Sequence, residues 1–178
     1  MIKRIVLPLI IWVASLAHAD GFYELDLDWN KRGKQVTTVV VGAPVGPFAP
    51  MLVGDSTGYY EGFVGYPMKL GPVSVTPHLG LEGLKGVNPK ARGMLITSTQ
   101  LGPLSAMTVN EFGGVTGNFH KERLWVDASS YSLGLVRHSF AGIGPRIDYR
   151  LGSGTTMYLQ YLRKDKMSRL TLAISGEF

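Results

Sequence analysis

The stretch Leu170-Thr171-Leu172-Ala173-Ile174-Ser175-Gly176-Glu177-Phe178 alternates strictly between two kinds of side chain. Leu170, Leu172, Ile174, Gly176 and Phe178 share one face of an extended strand, and Thr171, Ala173, Ser175 and Glu177 share the other. A period of two with one apolar row is the signature of a strand lying between two different environments. Chain ends usually fray, so a well-patterned strand running to the last residue needs a partner to hold it. A closed sheet supplies that partner, because its last strand pairs with its first.

The same alternation recurs along the chain. In Phe22–Trp29, Tyr23, Leu25, Leu27 and Trp29 oppose Phe22, Glu24, Asp26 and Asp28. Gln35–Ala43 is β-branched, Tyr59–Met68 and Val73–Leu84 alternate, and Leu-Gly-Pro turns stand at 70–72 and 101–103. Ala141, Ile143, Ile147, Tyr149 and Leu151 oppose Arg146, Asp148 and Arg150. With 23 glycines and few windows of helical period, the reading is all-β. Residues 44–57, with three prolines and two glycines, read as a turn or short irregular segment. Residues 113–138 are the least legible part. Gly113–Glu122 reads as a loop, and Arg123–Arg137 as one bent strand or two short ones around Ser129-Ser130.

Met1–Ala19 reads as a cleavable secretory signal: Lys3 and Arg4, an apolar run from Ile5 to Leu16, then Ala17-His18-Ala19. Twelve apolar residues span roughly 18 Å as a helix, too short for a hydrocarbon core of about 30 Å. Residues 20–178 then form one domain. The chain has no cysteine, which excludes disulfides, thiolate metal sites and cysteine nucleophiles. A net charge of +5, with no basic run interleaved with aromatics, gives no nucleic-acid surface.

A signal, strands throughout and a terminal alternating strand ending in Phe together resemble a small bacterial outer-membrane β-barrel of the OmpX-like or OmpA transmembrane-domain type. The resemblance implies a closed antiparallel up-and-down transmembrane β-barrel with an even strand number, eight to twelve. It also implies outer-membrane residence, a monomer, no cofactor or metal, and Leu170, Leu172, Ile174 and Phe178 as the signal read by the barrel-assembly machinery. The apolar row then faces lipid, capped by Tyr23, Trp29, Tyr66, Tyr149, Tyr161 and Phe178, and the charges face the lumen.

Glu24, Asp26, Asp28, Arg146, Asp148, Arg150, Arg169 and Glu177 form the expected lumen network, serving either as a selective constriction or as an ion-pair plug. Lys31, Arg32, Lys34, Arg163, Lys164 and Lys166 fall in or beside two extracellular turns, where lipopolysaccharide phosphates are the expected contact. No catalytic residue is assigned. His138 and Ser139 are neighbours on a strand and point apart, and His78 and Glu82 share a face roughly 13 Å apart. His120 reads as a solvated loop residue. The functional expectation is a structural, adhesive or narrow porin-like envelope protein. A lipid-A-modifying barrel enzyme and a soluble periplasmic barrel holding a small apolar ligand are the alternatives.

Overall fold

The structure, a computed structural model, describes residues 21–30, 33–152 and 154–178. The signal segment, Lys31 and Arg32 lie outside the described residues. The strands are β1 (Phe22–Asn30), β2 (Gln35–Gly42), β3 (Ala49–Asp55), β4 (Tyr59–Gly65), β5 (Met68–Leu70), β6 (Val73–Leu84) and β7 (Val87–Leu101). They continue with β8 (Leu104–Gly113), β9 (Phe119–Asp127), β10 (Tyr131–His138), β11 (Gly142–Gly152), β12 (Thr155–Lys164) and β13 (Met167–Glu177).

Each strand pairs antiparallel with its neighbours, and the sheet closes on itself. β4 and β5 both pair with β6 and form two halves of one stave, so the barrel has twelve. The break falls at Tyr66-Pro67. Proline has no N–H to give to the ladder, while the Tyr66 N–H still donates to the Pro77 carbonyl at 3.0 Å. The seam runs from Phe22 opposite Glu177 to Asn30 opposite Arg169. Below it, Gly21 and Phe178 exchange two backbone hydrogen bonds of 3.1 and 3.0 Å.

Two sequence expectations are corrected. Residues 44–57 hold a full stave: the prolines at 44 and 47 belong to the turn, and β3 begins only at Ala49. Met51 and Val53 face the interior while Pro50 and Leu52 face out, and Asp55 closes the strand by accepting the Thr57 N–H at 2.7 Å. In the second region, β8 runs to Gly113 and β9 starts at Phe119, so the expected 113–122 loop shrinks to residues 114–118. The turn around Ser129-Ser130 separates β9 from β10 as two strands. His120 is therefore no loop residue. It lies on the outer row of β9, where its Nδ1 lies 2.6 Å from Asn110 Oδ1 and its Nε2 2.9 Å from Glu122.

With β3 counted, both Leu-Gly-Pro turns and the turn after Gly152 fall at the end that carries the termini. The turns after Asn30, Asp55, Leu84, Gly113, His138 and Lys164 fall at the far end. Burial shows which way the strands face. Outer-row Leu79 is 72% exposed and Leu133 52%, whereas Glu82 and Arg92 are 0% and 1% exposed. This is the reverse of a soluble protein, in which charges face out and leucines pack within.

Candidate functional site

The interior carries two groups of charge on different parts of the wall. The first centres on Arg92 of β7. Glu61 and Glu82 are direct cross-strand partners on β4 and β6, a juxtaposition of like charges that costs stability unless a cation intervenes. Arg92 is that cation. Its Nη1 donates to Glu82 at 2.7 Å, its Nε and Nη2 to Glu111 at 3.0 and 2.5 Å, and its Nε lies 3.0 Å from Glu61.

The segment between β8 and β9 folds inward onto this group. Thr116 donates its hydroxyl to Glu82 at 2.5 Å and its N–H at 3.1 Å, and the Val115 N–H bonds the same carboxylate. Arg92 Nη1 in turn donates to Thr116 Oγ1 at 3.1 Å. Gly114 makes the approach possible: its φ is +75°, and a Cβ there would fall 1.9 Å from the Glu82 carboxylate. The loop is thereby latched over the β6–β8 side of the far mouth.

The second group runs from β9 to β1. Asp148 accepts from Arg146 at 3.0 and 2.7 Å and from Arg123 at 2.6 Å. Both guanidiniums also lie over aromatic rings, Arg146 at 3.3 Å from the Tyr158 centroid and Arg123 at 4.1 Å from that of Trp125. The Tyr158 hydroxyl reaches across β13 and donates to Asp26 at 2.6 Å and Glu24 at 3.2 Å. Asp28 takes a two-pronged contact from Arg169, with Nε donating at 2.8 Å, and a 2.5 Å bond from the Thr171 hydroxyl. Nearer the terminal end, Arg150 donates to Asp127 at 2.7 Å.

Of the eight charges singled out in the sequence, the structure joins Arg169 to Asp28 and Arg146 to Asp148. Arg146 reaches Glu24 and Asp26 only through Tyr158. Arg150 turns away to Asp127, and Glu177 stands exposed at the terminal rim. Sequence reasoning missed Arg92, Glu61, Glu111 and Arg123. The alternation Lys90, Arg92, Met94 carried the signal for the first of these, but Asn88-Pro89 hid the start of β7. Leu170, Leu172 and Ile174 lie on the outer row opposite Trp29, Leu27 and Leu25.

Among the basic rim residues, Lys34 and Lys166 are exposed at the far end, Arg163 lies on the outer wall, and Lys164 donates to the Ser139 carbonyl at 2.6 Å. His138 Nδ1 accepts the Phe140 and Ala141 N–H groups of its own turn. His78 Nδ1 lies 3.0 Å from the Thr76 carbonyl. Glu82 is fully engaged by Arg92 and the loop.

The sequence matches no protein-family profile and no curated relative. Solved structures do resemble it. The KdgM porin superposes with a TM-score of 0.72 at 13% identity, covering 88% of this chain and 99% of that one. The KdgM porin in complex with disordered oligogalacturonate gives the same figures. A structure solved in work on the in-meso crystallisation of membrane proteins gives 0.57 at 8% identity, over 88% of this chain and 83% of that one. At such identities the likeness is one of fold. It is with a porin of this architecture, and it does not establish the OmpX-like or OmpA type expected from the sequence.

Proposed function

We propose that the chain is a narrow diffusion pore of a bacterial outer membrane, its termini on the periplasmic side and its latched loop at the extracellular mouth. The observation that carries this reading is the direction of the contacts inside the barrel. Each ion pair described above joins strands at most two places apart around the wall: Arg92 to β4, β6 and β8, Arg123 to β11, Arg150 to β9, Arg169 to β1. Charges that lie flat along a wall neutralise one another and leave the axis to water. A plug would tie opposite walls together.

The apolar outer wall supports lipid as the surrounding medium, since a soluble protein rarely exposes so extensive an apolar surface. The fold shared with the KdgM porin supports the same reading. In it the acidic side chains of β1 and the stacked arginines of β9 and β11 give the path a transverse polarity, so that small charged solutes are oriented as they pass. No residue is assigned a catalytic role, and no cofactor is required.

The test is reconstitution. The purified barrel should sediment with the outer membrane, change gel mobility on heating, and give discrete conductance steps in planar bilayers. Arg123→Gln together with Arg146→Gln should shift the reversal potential in a KCl gradient toward cation selectivity. A membrane-inserted barrel with no conductance would overturn the pore.

A further inference from the structure

The outer wall of β10–β12 breaks its own pattern. Over most of the barrel the outward row is Leu, Val, Ile, Met or Tyr, yet here two arginines stand on it at the same height. Arg137 is directly opposite Ile143, and Ile143 directly opposite Arg163, so the register places the two guanidinium stems on either side of one isoleucine. With strands about 4.8 Å apart, their Cα atoms are roughly 10 Å from each other, within reach of one small anion for two such long side chains.

Arg137 has one loose ion pair and Arg163 none among the described residues. Arg137 is 66% exposed at its side chain, and its contact with Glu122 is a loose 3.6 Å. Glu122 is an acidic neighbour on this face, and its other oxygen is engaged by His120 at 2.9 Å. Lys164 and Lys166 follow in the adjoining far-end turn.

Toward the terminal end, on the same three strands, the wall is hollowed. A cleft of about 250 Å³ is lined by Leu133, Gly134, Pro145, Arg146, Ile147, Leu159 and Tyr161. It exists because Pro145, on the outward row, puts a small ring where its neighbours put leucine and isoleucine, while Gly134, on the inward row opposite Arg146 and Trp125, lends only its backbone. A Cβ on Gly134 would fall 2.4 Å from the Leu124 carbonyl oxygen, so the strands are packed for a glycine there. The volume is below the range of about 300–1,000 Å³ usual for drug-sized ligands. It suits a stretch of hydrocarbon chain.

We propose that this face binds one phosphorylated lipid, with its phosphate on Arg137 and Arg163 and the first part of an acyl chain in the cleft beneath. An apolar groove directly under one unpaired and one loosely paired arginine matches the two ends of such a molecule, and free phosphate would use only one of them. The proposal rests on the reading of the barrel as membrane-spanning, and it sharpens the expected contact of the basic rim with lipopolysaccharide to a particular place on the wall.

The test uses the full barrel refolded in detergent, with bisphosphorylated lipid A, dephosphorylated lipid A and inorganic phosphate as probes in native mass spectrometry. Lipid A should bind, dephosphorylated lipid A about tenfold or more weakly, and inorganic phosphate at millimolar concentration should compete poorly. Arg137→Gln with Arg163→Gln should lose the preference for the phosphorylated form. Leu159→Trp, which fills the cleft, should weaken both lipids. Equal binding of the two lipids by the native protein, or a preference untouched by the double variant, overturns the site. Full displacement by inorganic phosphate reduces it to an anion site and overturns the lipid. Heat-modifiable mobility and conductance are read on every variant. A protein that never inserts contradicts the membrane reading itself, whereas one that inserts and conducts but does not discriminate contradicts only this proposal.

Discussion

Arg92 and Arg150 show how differently two interior arginines weigh. Arg92 is 1% exposed and answers three carboxylates, so replacing it strands like charges in a closed space. Arg92→Met should lower the unfolding free energy by about 3–5 kcal/mol, read from the urea midpoint of the refolded barrel in vesicles. Arg150 is 42% exposed at its side chain, and Arg150→Ala should cost no more than about 1 kcal/mol in the same measurement. Equal losses would mean that burial does not rank these pairs. The contrast was only half legible beforehand. Arg150 declared itself by alternation with Ile147, Tyr149 and Leu151, but its partner Asp127 lies two staves away. Which cross-wall neighbour a charge finds depends on barrel shear, which no local pattern encodes.

Among the elements, the inward loop between β8 and β9 has the clearest consequence. It is held by one carboxylate that takes two backbone N–H groups and a hydroxyl. Glu82→Gln keeps the shape but weakens all three bonds, and single-channel conductance should rise, with added current noise as the loop moves. Gly114→Ala should do the same by steric exclusion. Conductance unchanged in both variants would show that the loop does not narrow the path. A loop was legible here in the sequence, but its inward fold was not. Gly113, Gly114 and Gly117 announce a turn, but nothing local says that it bends inward, because its anchor lies more than thirty residues earlier on β6. β1, with full alternation, was legible to within a residue, and β13 begins at Met167, three residues before the alternation read from Leu170. β3 was hidden by the prolines of the turn before it, and the start of β9 by Gly114 and Gly117.

For the molecule as a whole, the register of the seam makes a direct prediction. The native chain has no cysteine. Leu25→Cys with Ile174→Cys, which are direct partners, should oxidise to an intramolecular disulfide visible as a mobility shift. Leu25→Cys with Leu170→Cys should not, since Leu170 is opposite Trp29. Cross-linking of both pairs would point to a sliding seam. The seam also has a meaning in time. The first strand to be made waits for the last, and every pairing in between can form while the two free edges and the leucine-studded outer surface stand open. Closure brings together segments of very large sequence separation, an arrangement that folds slowly and exposes adhesive edges meanwhile. Such a chain depends on being kept apart from its own copies until β13 arrives. Its survival in the cell is thus governed as much by the speed of ring closure as by the stability of the finished barrel.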